Sequence, residues 1–411
     1  MVNKKNLIIM VISVLCLISF AGAGEKENKI EPKLVYEKRF DFEIEQGKIG
    51  EDGSLFPTIF VTKDNRVLFL DKEGNVHKTL SFVWPNYIAK ISDDGKNVII
   101  MTPVNQEKNE FDVKIYDVSG KTIIHKKMSF NYGRPVDIFL TKGAEAVIIF
   151  FAGGDLIEPC GIRFYDGKLN LQKLYTKSDF ERPLVPGSYW RNPGFNGAWL
   201  EKNSKYLIGV GSNIASYGIY IFAVATGELK YYTYFDTLVI GKCMVSGDGT
   251  KLIYTACESY RKIFNKNGRN VMSYVIALDQ NKVKFATLLS QDFKPEWLPS
   301  ISLAFSPNSQ FSVVAFNDTI FLCDFSLSQL NKLQSPTGKK VIIIDVTDDR
   351  NILTIDEEGT ISVTDNTGNL IFQKELLQSI AEIRYFSQRK KLIVLTRKEA
   401  FNFILKHREE R

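Results

Sequence analysis

Few side chains in this chain have the types and spacing that catalysis requires. The 411 residues include only three histidines, His77, His125 and His407, which are dispersed along the sequence. A Ser-His-Asp triad or a His-rich metal centre needs more histidine than this. No G-x-S-x-G, H-E-x-x-H, P-loop, EF-hand or Rossmann pattern is present. We therefore predict no catalytic residue, no metal site and no cofactor.

Acidic side chains are the remaining candidates for chemistry. Paired carboxylates can hydrolyse a glycosidic bond, and larger groups of carboxylates can bind Ca²⁺. Polar segments of an ordinary globular protein also contain such residues, and we favour that interpretation. The candidates are Glu107, Glu110, Asp155, Glu158, Asp179 and Glu181.

The N-terminus has the pattern of a secretory signal peptide. Lys4 and Lys5 precede an apolar run from Leu7 to Phe20, and Ala21-Gly22-Ala23 supplies the small residues of a cleavage site. An uncleaved anchor helix is the alternative, but the run is short for a membrane span of about 20 residues. We predict a mature chain that begins at Gly24 and is exported to the periplasm or the extracellular space.

The composition is that of a globular protein with a large core. Apolar residues are 44% and charged residues 24%, which excludes a disordered chain. The net charge of +6 is spread along the sequence without a basic block. This pattern argues against a nucleic-acid ligand. No second apolar run is long enough to cross a membrane, so we predict no membrane span after cleavage.

From about residue 34 the chain alternates short strand segments with polar turns. Runs such as 66–70 (RVLFL) and 146–151 (AVIIFF) are rich in β-branched and aromatic residues, as strands are. A short polar turn such as Ser92-Asp93-Asp94-Gly95 alternates with an Asp-containing turn such as Asp117 to Gly120. Eight copies of the first turn, 40 to 60 residues apart, divide the chain into four-stranded units.

Repeated four-stranded units of this length predict a β-propeller, in which each unit forms one blade. The S-x-D-G turns and the apolar-apolar-Asp strand ends, such as Ile115-Tyr116-Asp117 and Phe164-Tyr165-Asp166, resemble those of the WD40-like and quinoprotein-like propellers. The resemblance extends over roughly residues 34–407 and implies the all-β architecture alone. A β-sandwich pair or an irregular β-solenoid is the alternative, which the regular order of the turns disfavours.

The last repeat lacks a fourth strand, because the chain ends soon after strands at 391–396 and 399–405. A spare strand candidate, 34–43, precedes the first repeat. We predict that 34–43 pairs with 399–405 and closes a ring of eight blades, since an open ring would expose strand edges. Seven blades are the alternative, because the first inner strand, near 46–49, is weak. The predicted organisation is a signal peptide (1–23), a flexible lead (24–33), one propeller domain (34–407) and a tail (408–411).

Four cysteines remain after the signal peptide, and none belongs to a C-x-x-C motif. Pairing about the turn 246–249 places Cys243 opposite residue 252 or 253. Cys257 is then beyond the roughly 7 Å that a disulfide spans. Cys160 and Cys323 fall in other blades. We therefore expect mostly unpaired, buried cysteines.

The connections between strands are unequal in length. If the strands of a blade are named a to d, the a–b and c–d turns lie on one face, and the b–c and d–a connections lie on the other. Long segments at 103–110, 153–160, 178–194, 257–270 and 290–298 all belong to the second set, in blades 2 to 5. Tyr, Trp and Arg are enriched at binding hot spots. The predicted binding face contains Arg134, Arg182, Tyr189, Trp190, Arg191, Tyr260, Arg261 and Trp297.

Two classes of function are compatible with these features. We favour an exported, non-catalytic and monomeric propeller that binds another protein or an envelope component through its long loops, which are common functional elements. The alternative is a propeller enzyme, a lactonase, another hydrolase or a quinone-dependent oxidoreductase, with carboxylates near the central channel. A fold alone does not decide between them. Aromatic residues that only pack the loops onto the blades would leave the predicted face without a binding role.

Overall fold

The structure is a computed structural model. It describes residues 31–406 except 50–57, 72, 83–86, 131–133, 153–160, 177–193, 202–203, 213–216, 236–237, 259–270, 279–281, 291–300, 377–379 and 387–390. Within these residues the chain forms eight antiparallel sheets of four strands each. The sheets form the eight blades of a β-propeller, as the repeat predicts. In the same part of the chain, no helix is long and apolar enough to cross a membrane.

The first four blades follow one another along the chain. Blade 1 contains β2 (Ile44–Gly47), β3 (Ile59–Thr62), β4 (Arg66–Leu70) and β5 (Val76–Ser81). Blade 2 contains β6 (Ile88–Ile91), β7 (Asn97–Asn105), β8 (Glu110–Asp117) and β9 (Thr122–Ser129). Blade 3 contains β10 (Arg134–Leu140), the 3₁₀ turn η1 (Lys142–Ala144), β11 (Ala146–Ala152), β12 (Gly161–Asp166) and β13 (Leu171–Tyr175). Blade 4 contains β14 (Gly194–Leu200), β15 (Tyr206–Ser212), β16 (Tyr217–Ala223) and β17 (Glu228–Phe235).

The remaining blades repeat this order, and the last one recruits the N-terminal strand. Blade 5 contains β18 (Leu238–Val245), β19 (Lys251–Glu258), β20 (Val271–Ala277) and β21 (Lys282–Ser290). Blade 6 contains β22 (Ser302–Phe305), β23 (Phe311–Phe316), β24 (Thr319–Asp324) and β25 (Gln329–Gln334). Blade 7 contains β26 (Val341–Val346), β27 (Ile352–Asp356), β28 (Thr360–Thr364) and β29 (Leu370–Glu375). Blade 8 contains β30 (Ile380–Phe386), β31 (Lys391–Thr396), β32 (Glu399–Lys406) and β1 (Glu31–Arg39).

Blade 8 closes the ring in the predicted way. β1 lies antiparallel to β32, with Glu31 opposite Lys406 and Arg39 opposite Glu399. The Arg39 guanidinium also pairs with the Glu399 carboxylate at 2.5 Å. The eight-bladed prediction is therefore confirmed, and the seven-bladed alternative is wrong.

The closing strand ends earlier than the expected 34–43, because two phenylalanines turn inward. Phe40 and Phe42 are buried and pack against Phe60 of blade 1, with ring centroids 5.1 and 5.8 Å away. Blade 8 also approaches the inner strand of blade 1 closely. A Cβ at Gly47 would lie 2.6 Å from Cδ2 of Leu395, so a side chain there would displace the buried Leu395 and Phe60.

The hydrophobic core lies between neighbouring blades. One cluster joins Ile253 and Val275 of blade 5 to Val314 and Phe316 of blade 6. Because each middle strand is covered on both faces, its sequence is a continuous apolar run rather than an alternating one. This packing explains segments such as 146–151 (AVIIFF), of which all six residues are buried.

The S-x-D-G pattern forms the a–b turns of blades 2 and 5 through side-chain hydrogen bonds. In blade 5, Ser246 Oγ accepts a bond from the backbone N–H of Lys251 at 2.9 Å and donates one to Asp248 Oδ1 at 2.6 Å. Gly249 follows with a φ of +72°, a conformation that favours glycine. Ser92 and Asp94 repeat these bonds in blade 2.

The aspartate at the end of strand c organises the c–d turn. In blade 3, Asp166 Oδ1 accepts bonds from the backbone N–H groups of Lys168 and Asn170 at 2.9 and 2.8 Å. The N–H of Asn170, followed by other hydrogen bonds, holds the pKa of Asp166 below its usual value. An aspartate after a strand is therefore a turn-forming residue in this protein.

The two faces of the ring differ in the length of their connections. We call the face with the a–b and c–d turns the turn face, and the opposite face the loop face. In blades 2 to 7 every a–b connection is short, as in 92–96 and 347–351, whereas blade 1 has a longer one at 48–58. Among the strands that end at the loop face, those of blades 3 to 5 are separated by the longest stretches of sequence, 153–160, 176–193, 259–270 and 291–301.

In blade 2, the segment that the sequence predicts as a long loop forms a hairpin instead. Half of the segment 103–110 is strand, because β7 and β8 continue past the core as a hairpin, with Asn105 opposite Glu110 and a turn at 106–109. Continued ladder pairing extends the hairpin despite its polar sequence.

Two of the four domain cysteines are described as free and buried, in agreement with the expectation. They are Cys243 and Cys323. Cys243 lies opposite Tyr254, and Cys257 lies opposite Val239, so the strand register separates this pair. Burial raises the pKa of both free thiols, to about 11 for Cys323.

Candidate functional site

Of the eight residues predicted to form the binding face, the structure describes only Arg134. Arg134 is the first residue of β10, lies on the loop face opposite Ala152, and has an exposed side chain. The others lie outside the described residues: Arg182, Tyr189, Trp190, Arg191, Tyr260, Arg261 and Trp297. Their grouping therefore remains a prediction, as does the role of the carboxylates in 153–160 and 177–193.

Side-chain and backbone contacts join blades 2 and 3 on the described part of the loop face. The Arg163 guanidinium is buried between the rings of Phe130 and Phe151, 4.8 and 5.1 Å from their centroids. The Phe130 N–H also donates to the carbonyl of Asn109 in the blade 2 hairpin at 3.0 Å. Cation–π contacts of this kind hold the hairpin base against blade 3.

The hairpin carries a small charged cluster on its outer side. Asp112 accepts a bond from Lys114 Nζ at 2.7 Å and lies against Nε2 of His125. Partial burial opposes ionisation, but these two hydrogen bonds hold the pKa of Asp112 below its usual value. His125 and His77 are thus exposed residues of outer strands.

Among the described residues, a pair of cavities lies along the central channel, and the sequence did not reveal them. One, of about 290 Å³, lies between the inner strands of blades 4 to 8 and is mainly apolar. The other, of about 320 Å³, lies between blades 8, 1, 2, 3 and 4 and contains most of the charge. Leu200 lines both. The polar side chains of the second cavity belong to Glu45, Gln46, Lys48, Lys90, Asp93 and Glu382.

Glu382 is the most constrained of these groups. It lies in the inner strand β30, and its Oε2 atom is buried without a hydrogen-bond partner among the described residues. Its Oε1 atom is 4.0 Å from Nη2 of Arg384. Burial raises the pKa of Glu382, although Lys48 and Arg384 oppose the shift. The carboxyl therefore retains its proton to a higher pH than an exposed glutamate.

Asp93 reaches the same cavity from the a–b turn of blade 2. Its carboxylate accepts a hydrogen bond from the Ser204 hydroxyl, which belongs to the a–b turn of blade 4. Burial raises the pKa of Asp93, and the Ser204 bond and Lys48 partly oppose this. The bond between blades 2 and 4 bypasses blade 3, so the a–b turns converge toward the channel axis.

Further polar contacts hold the inner strands of blades 1 to 3 together. Lys90 Nζ of blade 2 lies 3.3 Å from the Asp137 carboxylate of blade 3. Gln46 of blade 1 donates from Nε2 to the Ala89 carbonyl at 3.3 Å. Within the described residues, no group of three His, Cys, Asp or Glu side chains is placed to hold a metal ion. The cavity therefore offers hydrogen bonds and charge beside an apolar wall.

Sequence reasoning missed this cluster because its members come from separate blades. One signal was available: Glu382 interrupts the otherwise apolar start of the inner strand 380–386 (IAEIRYF). A charged residue within an inner strand points toward the channel or an interface.

The fold and the channel define an eight-bladed β-propeller protein. The chain matches no protein-family model and no curated protein. Among solved structures it is similar to BamB from Moraxella catarrhalis, with a TM-score of 0.53 and 12% identity over 93% of this chain and 100% of that one. It is also similar to the computationally designed Ika8 protein, with a TM-score of 0.53 and 9% identity over 90% and 98% of the two chains. At such identities the similarity shows the propeller fold.

A third solved structure is similar over a smaller part of the chain. Kuenenia stuttgartiensis hydrazine synthase has a TM-score of 0.47 and 12% identity over 80% of this chain and 97% of that one.

Proposed function

We propose that this protein is an exported, non-catalytic propeller scaffold that binds another protein or an envelope component through the loop face of blades 2 to 5. The observation that carries the proposal is the asymmetry of the connections. The long ones on the loop face are confined to blades 3 to 5, beside the blade 2 hairpin, whereas the other blades have short ones there. A spacer with no partner would have no need for this one-sided elaboration.

The described scaffold suits this role because it is rigid beneath the loops. Each blade packs on its neighbours through buried side chains, and Arg163 is held between two rings at the loop-face end of blades 2 and 3. Binding then needs no reordering of the blades, which lowers its entropic cost.

Within the loop face, Tyr189-Trp190-Arg191 is the strongest candidate contact. The three residues fall in the connection between β13 and β14, which also contains Pro183, Pro186 and Pro193. Prolines restrict the unbound backbone, so less conformational entropy is lost on binding. Trp, Tyr and Arg are also the residues most often found at hot spots.

The test begins with cross-linking and pull-down of the mature protein in its native envelope, followed by affinity measurement with the purified partner. Replacing Trp190 and Arg191 with alanine is expected to weaken binding by about 2 kcal/mol or more, a rise in Kd of roughly thirtyfold. The matched control is Tyr232→Ala with Lys332→Ala, which removes an exposed aromatic and an exposed lysine from outer strands.

Two results would reject this assignment. Equal loss of affinity in both variants would place the interface elsewhere. A Trp190→Ala variant with a lower Tm and unchanged affinity would show that the indole packs onto the blades.

A propeller enzyme with carboxylates near the channel is the second candidate, and one observation favours it. Glu382 and Asp93 both line the polar cavity, and burial raises the pKa of each. A carboxyl with a raised pKa can serve as a general acid. Stoichiometric Ca²⁺ or transition metal in purified protein, or lactone or glycoside hydrolysis that Glu382→Gln abolishes, would favour the enzyme over the scaffold.

A further inference from the structure

The turn face differs from the loop face in its shape. In blades 2 to 7 its a–b connections are tight turns such as 92–96 and 347–351. Hydrogen bonds join these turns from blade to blade. The Gly143 N–H donates to Asp94 at 2.9 Å, and the Asn308 N–H donates to Asp348 at 2.8 Å. Short, linked turns of this kind leave a level surface in the described part of blades 2 to 7.

The turn face of blades 2 to 4 carries exposed lysines. Each of these blades contributes one from its a–b turn, and blades 2 and 3 contribute another from their c–d turns. The five are Lys96, Lys121, Lys142, Lys168 and Lys205. The exposed carboxylates beside them are Glu145 and Glu228, and Glu228 pairs with Lys230 at 2.6 Å. Asp117 and Asp166 accept backbone N–H bonds within their own c–d turns. This part of the face is therefore positive.

The turn face of blades 5 to 7 carries the opposite charge. Its a–b turns expose Asp248, Asp348 and Asp349. The cations of these turns are only partly exposed and are already paired. Lys251 lies 3.2 Å from Asp248, and Arg350 lies 3.2 Å from the buried Asp324. In the described part of these turns, Asp348 and Asp349 therefore have no cation to balance them.

Exposed apolar side chains border both charged regions. Of the eleven large hydrophobic residues that are exposed in the described part of the chain, six belong to the c–d turns or the first two strand-d residues of blades 2, 3, 6 and 7. They are Val118, Ile123, Leu171, Leu327, Leu330 and Leu370. Exposed apolar groups of this kind, rimmed by charged residues, are typical of protein interaction surfaces.

The two charged regions match when a second copy lies face to face with the first. A twofold axis in the plane of the face, passing between blades 4 and 5 and between blades 8 and 1, sets blades 2, 3 and 4 of one copy against blades 7, 6 and 5 of the other. Lys96 then lies opposite Asp349, and Lys205 lies opposite Asp248. Both pairs join a–b turns, which lie nearest the channel. The apolar c–d edges of blades 3 and 6 also meet.

We propose that the protein forms a symmetric homodimer through its turn face, with the lysines of blades 2 to 4 against the aspartates of blades 5 to 7. The loop face stays free in this dimer, so the inference does not depend on the proposed binding role of that face. The dimer replaces the monomer expected from the sequence, because the two charged regions are assembled only when the ring closes.

Sedimentation velocity of the mature protein measures the Kd of the dimer. The Kd should rise between about 50 and about 500 mM NaCl, because salt screens exposed charge pairs. Lys96→Glu places like charges opposite Asp349 at both of the symmetric contacts, and Asp349→Lys does the same opposite Lys96. Each variant should raise the Kd by about tenfold or more.

A charge exchange tests the twofold pairing itself. Mixing the Lys96→Glu and Asp349→Lys proteins should restore a dimer, since both contacts of the mixed dimer join opposite charges. The recovery also shows that both variants are folded. A chain that carries both substitutions should dimerise like the parent. The matched control, Lys127→Glu, makes the same change of charge on outer strand β9 and should leave the Kd unchanged.

Three results would overturn the proposal. The first is a parent protein that stays monomeric in low salt up to about 100 µM. The second is a dimer that Lys96→Glu leaves intact, or that Lys127→Glu weakens equally. The third is a failure of both the mixture and the doubly substituted chain to dimerise, which would show that these turns do not face each other.

Discussion

A serine or threonine hydroxyl begins the a–b turns of blades 2, 3, 5, 6 and 7 and accepts a backbone N–H there. Ser246 is fully buried and bonds both the Lys251 N–H and the Asp248 carboxylate. Ser246→Ala leaves a buried N–H without its side-chain acceptor, so it should lower the free energy of unfolding by about 1–2 kcal/mol. Urea denaturation followed by tryptophan fluorescence measures the change.

Blade 3 supplies the control for this prediction. Thr141 occupies the equivalent position, and its Oγ1 accepts the Ala146 N–H at 2.8 Å. Ser246→Thr should therefore preserve most of the stability, and Ser81→Ala, at an exposed position, should have little effect. If all three variants unfold alike, the hydroxyl does not stabilise the turn.

Glu382 should make stability depend on pH. Burial raises its pKa, so the folded state binds this proton more tightly than the unfolded state does. Between the ordinary and the raised pKa the folded state holds more protons, and stability falls as pH rises through that window. Glu382→Gln removes the penalty. It should raise Tm at neutral pH, with a difference that shrinks as pH falls below the ordinary glutamate pKa.

Differential scanning fluorimetry across this pH range tests the prediction, with Glu375→Gln as the exposed control. A lower Tm for Glu382→Gln at neutral pH would show that its charge stabilises the fold. A higher Tm for Glu382→Gln would mean that Glu382 destabilises the fold. Proteins commonly retain destabilising groups at binding or active sites.

At the scale of elements, the completeness of blade 8 depends on the N-terminal strand β1. It covers the outer edge of β32 from Lys406 to Glu399, and Arg39 adds an ion pair to Glu399. Deleting residues 24–39 should leave that edge unpaired, which lowers Tm and promotes aggregation. Deleting 24–30 keeps the strand and should have little effect.

Size-exclusion chromatography and thermal unfolding of the two truncated proteins measure the difference. If both behave like the mature chain, blade 8 does not depend on its N-terminal strand.

The outer strands also explain where the lysines lie. None of the eight outer strands carries net negative charge, and β9 contains Lys126 and Lys127. Each outer strand has one unpaired edge that could join another chain. Lysines on such an edge disfavour this pairing. The basic residues of the rim therefore need no nucleic-acid partner to explain them.

At the scale of the whole molecule, the export prediction is open to a direct test. Ala21 and Ala23 provide the small residues of a cleavage site after an apolar run. Intact-mass spectrometry of the natively expressed protein should find a chain that starts at Gly24. Retention of Met1, or a lipid on a cysteine, would contradict the prediction.

The sequence by itself determined the blade and the ring, because both depend on local chemistry. The hydroxyl and carboxylate of an S-x-D-G turn bond only neighbouring backbone groups, so each turn is encoded within a few residues. The position of blade 8 followed from the strand count, since an incomplete last repeat and a spare first strand imply closure. The sequence also predicted that Cys243 is unpaired, because the strand register separates it from Cys257.

Only the tertiary structure decided what the channel contains. Lys48, Asp93, Ser204 and Glu382 come from blades 1, 2, 4 and 8, and they meet because all eight inner strands surround one axis. Their approach depends on the radius of the ring and on the stagger of the inner strands. Both are set by the packing of bulky side chains between blades, which is a sum over the whole molecule. No local sequence pattern encodes this packing. The neighbours of the channel carboxylates could therefore be identified only from the three-dimensional structure.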